Sequence, residues 1–375
     1  MKKALIIGGG FAGCASAHVL ALQGGWDVML VERGPFLGAG VRTQWYGGHP
    51  YTFGPRHFLT QNEEVFQFLN KYCPLRSCSD HVFLSYVAED ENFYNYPIHV
   101  DDIPRMPDNE KINSEIHQAK LVDGAKSAKN LEDYWISSVG KSLYKKFINS
   151  YSKKMWQVDD NKIIDDFAWS PKGVALKEGK REAWDVAISA YPYAKNGYDD
   201  YFNLSTQDTD VRLNCNIESY DICNKSIKIE GTQKYDFDII ISTISPDIVM
   251  NKVYGELPYI GREFHKFVLP TKFAFPENVY FVYYTGGEKF TRIVEYKKFT
   301  RQKYDDDSTI LGLEIPVIDG GKHYPVPIKS EIDKAKKYFA DMPEGVFSIG
   351  RAGKYEYGYD IDNCIESALE IGKNL

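Results

Sequence analysis

The stretch Ala4-Leu5-Ile6-Ile7-Gly8-Gly9-Gly10-Phe11-Ala12-Gly13 decides the fold. Its four apolar residues are typical of a short buried strand, and they lead directly into a turn with Gly-x-Gly-x-x-Gly spacing. Gly8 permits the sharp turn, Gly10 lets the backbone approach a pyrophosphate, and Gly13 lets the next helix lie close to the sheet. The start of that helix suits a phosphate, because its amides point outward. The stretch therefore predicts the first strand and helix of a dinucleotide-binding fold.

The next apolar run supports this interpretation. Val28-Met29-Leu30-Val31 ends at Glu32, where such folds place an acid that binds a ribose hydroxyl, and the loop from Gly34 to Gly40 follows. Loops of this kind wrap a bound flavin dinucleotide. In this part of the chain we expect the cofactor to contact Gly8, Gly10, Phe11, Ala12, Gly13, Glu32, Arg33, Gly38, Ala39 and Gly40.

A competing interpretation is an export signal. Lys2 and Lys3 precede an apolar segment from Ala4 to Leu22, and Ala15-Ser16-Ala17 is similar to a peptidase site. Three consecutive glycines would interrupt the helix of such a signal, however. The second strand ending in an acid would also have no role behind it, so the sequence favours the nucleotide-binding fold.

Composition restricts the class of protein. The 375 residues can form two or three cores, and 43% hydrophobic with 26% charged residues is typical of a globular protein. A net charge of -7 gives no reason to expect nucleic acid or an anionic membrane as a partner. The six cysteines and eight histidines show no metal-binding spacing, so we expect reduced thiols and a cytoplasmic location. A bridge between Cys73 and Cys78 is the alternative, and it requires an oxidising compartment.

The hydrophobic pattern changes along the chain. Residues 102–190 are mostly helical in period, with one helix from Leu143 to Ile163, and strands dominate after Gly197. The expected strands are Val211–Ile217, Ser226–Glu230, Asp238–Thr243, Val279–Tyr284, Thr291–Tyr296 and Gly345–Arg351. The pattern at Asp362–Lys373 predicts a closing helix with an Asp cap.

These patterns predict an α/β fold with a discontinuous Rossmann-like domain, a helical insertion and an antiparallel sheet domain. We assign residues 1–80, 205–250 and 340–375 to the cofactor domain. The helical domain spans 102–190. The antiparallel sheet domain takes 81–101, 191–204 and 251–339.

Read in order, the motifs of nearly the whole chain resemble those of the UDP-galactopyranose mutase family. After the glycine turn they are Phe53–Thr60, Asn95–Ile98, the helical signature Phe147–Trp156, Lys195–Tyr198, the strand Phe290–Phe299, Tyr324–Pro327, and Gly350–Tyr357 with Asp360–Asp362. Their shared order is far more specific than any single motif.

The resemblance implies an isomerase that uses flavin adenine dinucleotide (FAD) without net redox change. In the family, reduced FAD attacks the anomeric carbon of a nucleotide-linked hexose through N5, and the nucleotide returns after the sugar ring has closed on another hydroxyl. An external reductant such as NAD(P)H is needed only to reduce the flavin. The resemblance also implies a homodimer.

The resemblance assigns roles to individual residues. It makes Arg292, Tyr324 and Tyr357 ligands of the diphosphate, a task that suits guanidinium and phenol groups. The catalytic residues implied are Arg292, Tyr324, Tyr357, Arg56 and His57. The substrate-binding residues are Phe147, Tyr151 and Trp156 at the uracil, with Asn196 and Tyr198. Further cofactor contacts are Arg351, Asp360, Ile361 and Asp362, the last three at the start of a helix whose dipole would stabilise an anionic reduced flavin.

Two departures from the family pattern leave the sugar open. Arg56 and Leu59 stand where the family has histidines, and the arginine expected about a dozen residues beyond Trp156 is absent. Lys172, Arg181 or Arg56 are the replacements considered, and a lysine would lose the bidentate fork. The substrate is therefore UDP-galactose or a related UDP- or dTDP-linked sugar, including deoxy and acetamido hexoses.

Two other functions remain open at this point. An oxidoreductase of the amine-oxidase type shares the flavin scaffold, and the absent arginine and histidines are consistent with a flavin-binding protein that has lost catalysis.

Overall fold

The computed structural model of the protein describes residues 1–122, 124–184 and 187–375. Within these ranges the strands are, in chain order, β1 (Lys2–Ile7), β2 (Trp26–Val31), β3 (Gln44–Tyr46), β4 (His49–Tyr51), β5 (Phe58–Thr60), β6 (Leu75–Ser77), β7 (Val82–Val87), β8 (Asn92–Asn95), β9 (Ile188–Pro192), β10 (Asp210–Arg212), β11 (Ile217–Asp221), β12 (Ser226–Ile229), β13 (Lys234–Asp236), β14 (Ile239–Ser242), β15 (Tyr259–Leu269), β16 (Val279–Tyr284), β17 (Arg292–Glu295), β18 (Thr309–Val317), β19 (Tyr324–Pro325) and β20 (Val346–Ser348).

The α-helices of the same ranges are α1 (Phe11–Gln23), α2 (Glu63–Tyr72), α3 (Asn109–Val122), α4 (Leu131–Val139), α5 (Lys141–Leu143), α6 (Ser150–Trp156), α7 (Asp199–Ser205), α8 (Pro246–Val249), α9 (Tyr296–Thr300), α10 (Lys329–Ala340), α11 (Gly350–Lys354) and α12 (Ile361–Asn374). A π-helical segment, Tyr144–Asn149, joins α5 to α6, so the chain is helical without interruption from Lys141 to Trp156. Such wide turns are frequent at functional sites.

The cofactor-binding part is built on a parallel sheet with strand order β10-β2-β1-β14-β20. These strands come from three distant parts of the chain, as the predicted discontinuous Rossmann-like fold requires. Strand β14 is buried on both faces, which explains its continuous apolar run, Ile239-Ile240-Ile241. The predicted fold class is thereby confirmed, whereas the domain boundaries stay a prediction.

The second large sheet has the order β19-β15-β18-β17-β16-β7-β8. Neighbouring strands are antiparallel except for β16 and β7, which run parallel. The predicted strands around residues 279–284 and 291–296 are β16 and β17, and they pair antiparallel as expected. One hydrophobic core connects this sheet with the first, running from Ile6 beneath the glycine turn to Phe281 on β16.

The prediction of a mostly helical segment from 102 to 190 was wrong in its second half. The helix expected to reach Ile163 ends at Trp156, because Gln157 takes the left-handed conformation with φ of 53°. Beyond a short helical turn at Asn161–Ile163 the described residues up to Trp184 form loops, in a stretch that carries Pro171 and Gly173.

Two further boundaries differ from the predictions. The strand expected over Val211–Ile217 is divided between β10 and β11, because Asn214 is left-handed with φ of 51°. The closing helix is capped by Asp360 rather than Asp362, since Asp360 and Asn363 form reciprocal hydrogen bonds across the first turn.

The sequence also gave expectations about the membrane and about the state of the cysteines. Among the described residues, no helix is both long enough and apolar enough to cross a bilayer. All six cysteines are free thiols, including Cys73 and Cys78.

Candidate active site

The glycine turn has the geometry that close phosphate approach requires. Gly8 has φ of 97°, and a Cβ on Gly13 would lie 2.0 Å from the Gly8 carbonyl oxygen. Helix α1 therefore begins in direct contact with the turn. Gly10 precedes the helix and provides no side-chain cap, so the first-turn amides remain free for a phosphate.

Glu32 joins the glycine turn to the loop that follows β2. Its carboxylate accepts hydrogen bonds from the Gly9 amide at 2.7 Å and the Gly34 amide at 2.5 Å. Each carboxylate oxygen has a second lone pair, so Glu32 can also accept a bond from a ribose hydroxyl. The turn is closed to a Cβ at Gly8, Gly9 and Gly13. Together with the free helix amides and the fixed Glu32 carboxylate, it fits the adenosine diphosphate half of FAD.

The other residues predicted near this half occupy different positions. The Phe11 ring packs against Tyr201 at 5.4 Å, and both Phe11 and Ala12 are buried. These two residues can therefore contact the cofactor through their backbone atoms but not through their side chains. Arg33 is exposed beyond β2. The loop Gly38-Ala39-Gly40 folds onto the turn, with the Gly38 amide donating to the Gly9 carbonyl at 2.7 Å.

The start of α12 lies beside a large cavity of about 930 Å³, which Asp360, Asp362 and Asn363 line. Asp360 pairs with Arg351, whose Nε also donates to the Tyr359 carbonyl at 3.0 Å. Burial raises the pKa of Asp362 to about 6. Arg351 and the start of α12 therefore fit the flavin end of the cofactor, while the Ile361 side chain belongs to the core.

A second, smaller pocket adjoins the cavity. Phe147 and Tyr151 line it, as predicted for the nucleobase, and the Tyr151 ring meets Tyr283 edge to face at 5.4 Å. Flat rings of this kind suit a pyrimidine. The smaller pocket and the larger cavity share Trp169, Lys172, Tyr283, Arg292, Tyr324 and Tyr357, so these residues form the junction between them.

Arg292 projects from β17 into this junction. Its Nε and one terminal nitrogen donate to the two Glu314 carboxylate oxygens at 2.7 and 2.8 Å. Burial opposes ionisation of Glu314, but the Arg292 charge outweighs it and lowers the pKa of the carboxyl. Glu314 thus fixes the guanidinium, whose remaining N–H groups are available to a diphosphate.

Tyr324 lies between two guanidinium groups at the same junction. The Arg262 carbon Cζ is 4.4 Å from its ring centroid and that of Arg351 is 5.1 Å away. Burial opposes ionisation of the phenol, yet Arg292, Arg56 and Arg351 together lower its pKa to about 8. The Tyr357 ring lies 5.5 Å from Tyr324, which completes the predicted set of diphosphate ligands.

The loop where the family histidines are absent lines the large cavity. Arg56 is held by a bond of 2.8 Å from its Nε to the Phe53 carbonyl. His57 stacks on Phe299 at 5.4 Å, and burial lowers its pKa to about 4. Both His57 ring nitrogens are buried, and neither has a hydrogen-bond partner among the described residues.

Three predicted substrate contacts, Trp156, Asn196 and Tyr198, line neither the smaller pocket nor the large cavity. Trp156 is buried against Tyr357 at 4.9 Å and Trp169 at 5.3 Å, so it supports the rings that line the site. Tyr198 is fully buried and donates its hydroxyl to the Arg56 carbonyl at 2.9 Å. Asn196 lies in the same turn, and its amide nitrogen donates to Asp200 at 2.7 Å. Tyr198 thus supports the Arg56 loop, while the substrate contacts predicted for all three residues stay a prediction.

The structure separates the residues considered as replacements for the absent arginine. Arg181 lies elsewhere, paired with Asp102 at 2.9 Å, and is excluded. Lys172 lines the junction. Sequence reasoning missed Arg262 and Trp169, which also line the smaller pocket. The sequence did not mark Arg262 as a site residue, because it lies in the alternating polar pattern of β15, which is typical of a strand with one face in solvent.

Comparison with known proteins gives the chain its family. A family model described as UDP-galactopyranose mutase matches residues 146–357, and a model of an NAD(P)-binding Rossmann-like domain matches residues 6–72. The dTDP-fucopyranose mutase of Escherichia coli is 24% identical, with 100% of this chain and 98% of the relative aligned. A probable UDP-galactopyranose mutase of Klebsiella pneumoniae is 23% identical, with 98% of this chain and 93% of the relative aligned.

Among solved structures, a reduced UDP-galactopyranose mutase superposes with a TM-score of 0.83 at 15% identity, covering 100% of this chain and 93% of the other. That similarity supports the fold. The first family model spans more than half of the 375 residues, and the chain therefore belongs to the UDP-galactopyranose mutase family.

Proposed function

We propose that this protein interconverts the pyranose and furanose forms of a nucleotide-linked hexose. Membership of the family makes it an isomerase that uses FAD. The observation that carries the proposal is the junction at Arg292, Tyr324 and Tyr357, which joins a ring-lined pocket to a larger cavity beside the start of α12. A nucleotide sugar would then place its nucleobase in the ring-lined pocket, its diphosphate at the junction and its hexose in the larger cavity. This is the order in which the three groups are bonded.

Reduced FAD supplies the nucleophile for the anomeric carbon of the hexose. The protein's task is then to stabilise the diphosphate as it leaves, when negative charge gathers on its oxygens. Arg292 presents N–H groups fixed by Glu314, and Tyr324 donates a phenolic hydrogen bond. Donors that are already oriented stabilise this developing charge without reorganisation.

Cationic side chains hold the diphosphate after the bond to the sugar has broken. Lys172 and Arg262 line the smaller pocket and replace the arginine absent from the signature region. Retention matters because the same nucleotide must return to the sugar. Since Lys172 binds as a point charge, we expect Arg262 to supply most of the directional contact.

The nucleobase pocket suits a uracil or a thymine between Phe147 and Tyr151. The relatives named above include both a UDP- and a dTDP-sugar mutase, so both nucleotides belong in the first substrate panel. We further propose that NAD(P)H or a comparable donor reduces the flavin, that the chain forms a homodimer, and that it acts in the cytoplasm. The family resemblance supports the first two proposals, and the free cysteines agree with the third.

The experiment is product analysis of the FAD-loaded protein, reduced with dithionite, on UDP- and dTDP-linked hexopyranoses. We expect a furanose product by chromatography with the reduced protein and none with the oxidised protein. An amine-oxidase type of reaction would instead consume substrate in proportion to flavin reduction. Absence of furanose from every nucleotide sugar in the panel would refute the proposal and leave a flavin-binding protein without catalysis.

A further inference from the structure

Four residues on neighbouring strands of the larger sheet form a row along one side of the smaller pocket. Ser85 on β7 pairs with Tyr283 on β16, Tyr283 pairs with Arg292 on β17, and Arg292 pairs with Glu314 on β18. Residues paired across strands share a face of the sheet. All four accordingly line the pocket. Tyr283 therefore flanks Arg292 on the side opposite Glu314.

Tyr283 also lies where the smaller pocket meets the large cavity. It lines both, as Tyr324 does, and the two side chains are 6% and 8% exposed. The Tyr283 ring meets Tyr151 edge to face at 5.4 Å and Tyr96 at 5.8 Å. These contacts hold the ring in place, so the position of its hydroxyl is fixed by packing.

The Tyr283 hydroxyl has a proton to donate at this junction. Burial raises the pKa of the phenol to about 12, while the charge of Arg292 and a hydrogen bond from it act in the opposite direction. The phenol therefore stays protonated at neutral and mildly alkaline pH. A hydroxyl oxygen that accepts a bond keeps its own proton for another acceptor. The Tyr96 hydroxyl of the same pocket, by contrast, already donates to the Ser170 carbonyl at 2.7 Å.

We propose that Tyr283 is a further diphosphate-binding residue, which donates a phenolic hydrogen bond to the phosphate group held by Arg292. This inference rests on the proposed mutase function and adds a ligand to its diphosphate site. The carboxylate of Glu314 fixes Arg292, and Arg292 in turn orients and polarises the phenol beside it. A donor fixed in this way stabilises the charge that gathers on the leaving nucleotide.

Tyr283→Phe tests the contact, because it removes the hydroxyl and keeps the ring. Tyr284→Phe is the matched control, since the next residue of β16 points to the other face of the sheet and lines neither compartment. With equal FAD content by absorbance, calorimetry should show that Tyr283→Phe raises the Kd of UDP or dTDP about tenfold. In the dithionite-reduced protein kcat should fall about 10²-fold. Tyr284→Phe should change neither quantity.

Uridine separates a phosphate contact from a contact with the nucleoside. Because it lacks phosphates, it should bind Tyr283→Phe as well as it binds the unaltered protein. An equal loss of affinity for uridine and UDP, or unchanged UDP affinity and kcat, would overturn the proposal. If the unaltered protein binds UDP or dTDP but forms no furanose, the mutase function fails, and the nucleotide titrations still decide the role of Tyr283. Absence of binding of either nucleotide to the unaltered protein would refute both.

Discussion

Arg292 combines two functions at one side chain, because it neutralises the buried Glu314 and offers its other N–H groups to the diphosphate. Arg292→Lys keeps the charge but loses the planar fork. We expect kcat to fall about 10²- to 10³-fold, the usual effect of removing one oriented donor, with FAD still bound. Arg212→Lys, at a half-exposed ion pair on β10, is the matched control and should retain full activity. Full turnover in Arg292→Lys would contradict the assigned role.

Ionisation of the Tyr324 phenol should set an alkaline limit to activity. Its pKa of about 8 means that the phenol donates a hydrogen bond below that pH and becomes a phenolate above it, which repels a diphosphate. We expect kcat/KM to fall as pH rises through 8, because this parameter reports ionisations of the free enzyme. Tyr324→Phe should lower kcat/KM and remove this limb of the profile, whereas Tyr254→Phe, near the surface, should do neither. An alkaline limb that persists in Tyr324→Phe would assign it to another group.

At the scale of elements, the contact between the glycine turn and α1 determines whether the cofactor binds. Gly13→Ala would place a Cβ 2.0 Å from the Gly8 carbonyl oxygen and force the helix away from the turn. We expect a loss of roughly 1–3 kcal/mol of stability, as for other overpacked sites, together with reduced FAD content. Gly287→Ala is the control, since an added Cβ there has no atom within 4 Å. Equal FAD content and equal Tm in the two variants would show that this close contact is not required.

Elements whose pattern is local were predictable from the sequence, and elements fixed by distant contacts were not. The glycine turn was predictable from the spacing of its glycines, and β14, β16 and β17 from their runs of apolar and β-forming residues. The end of α6 depends on a single left-handed residue, Gln157, which no periodicity reveals. The same limit applies to the site, where order in the chain located Arg292 but could not show that Trp156 and Tyr198 line neither the smaller pocket nor the large cavity.

At the scale of the whole molecule, the cofactor should stabilise the fold. The parallel sheet draws strands from residues 2–31, 210–242 and 346–348. The predicted FAD contacts lie within or after the first of these segments and after the last. A ligand at 100 times its Kd adds about 2.7 kcal/mol to the free energy of unfolding. We therefore expect FAD to raise the Tm of cofactor-free protein by several degrees, and FMN, which lacks the adenosine half, to raise it less. Equal shifts with the two flavins would contradict the adenosine site at Glu32.

The central claim is that the bond between the hexose and the diphosphate breaks and reforms at the junction of Arg292, Tyr324 and Tyr357. Positional isotope exchange measures this directly, with UDP-galactopyranose and dTDP-fucopyranose carrying ¹⁸O in the bridge between C1 and the β-phosphate. With dithionite-reduced protein we predict that the label scrambles into the non-bridging β-phosphate positions of the substrate recovered by NMR. The oxidised protein should leave the label in place. Label that stays in the bridge with the reduced protein, while a furanose product forms, would contradict the account.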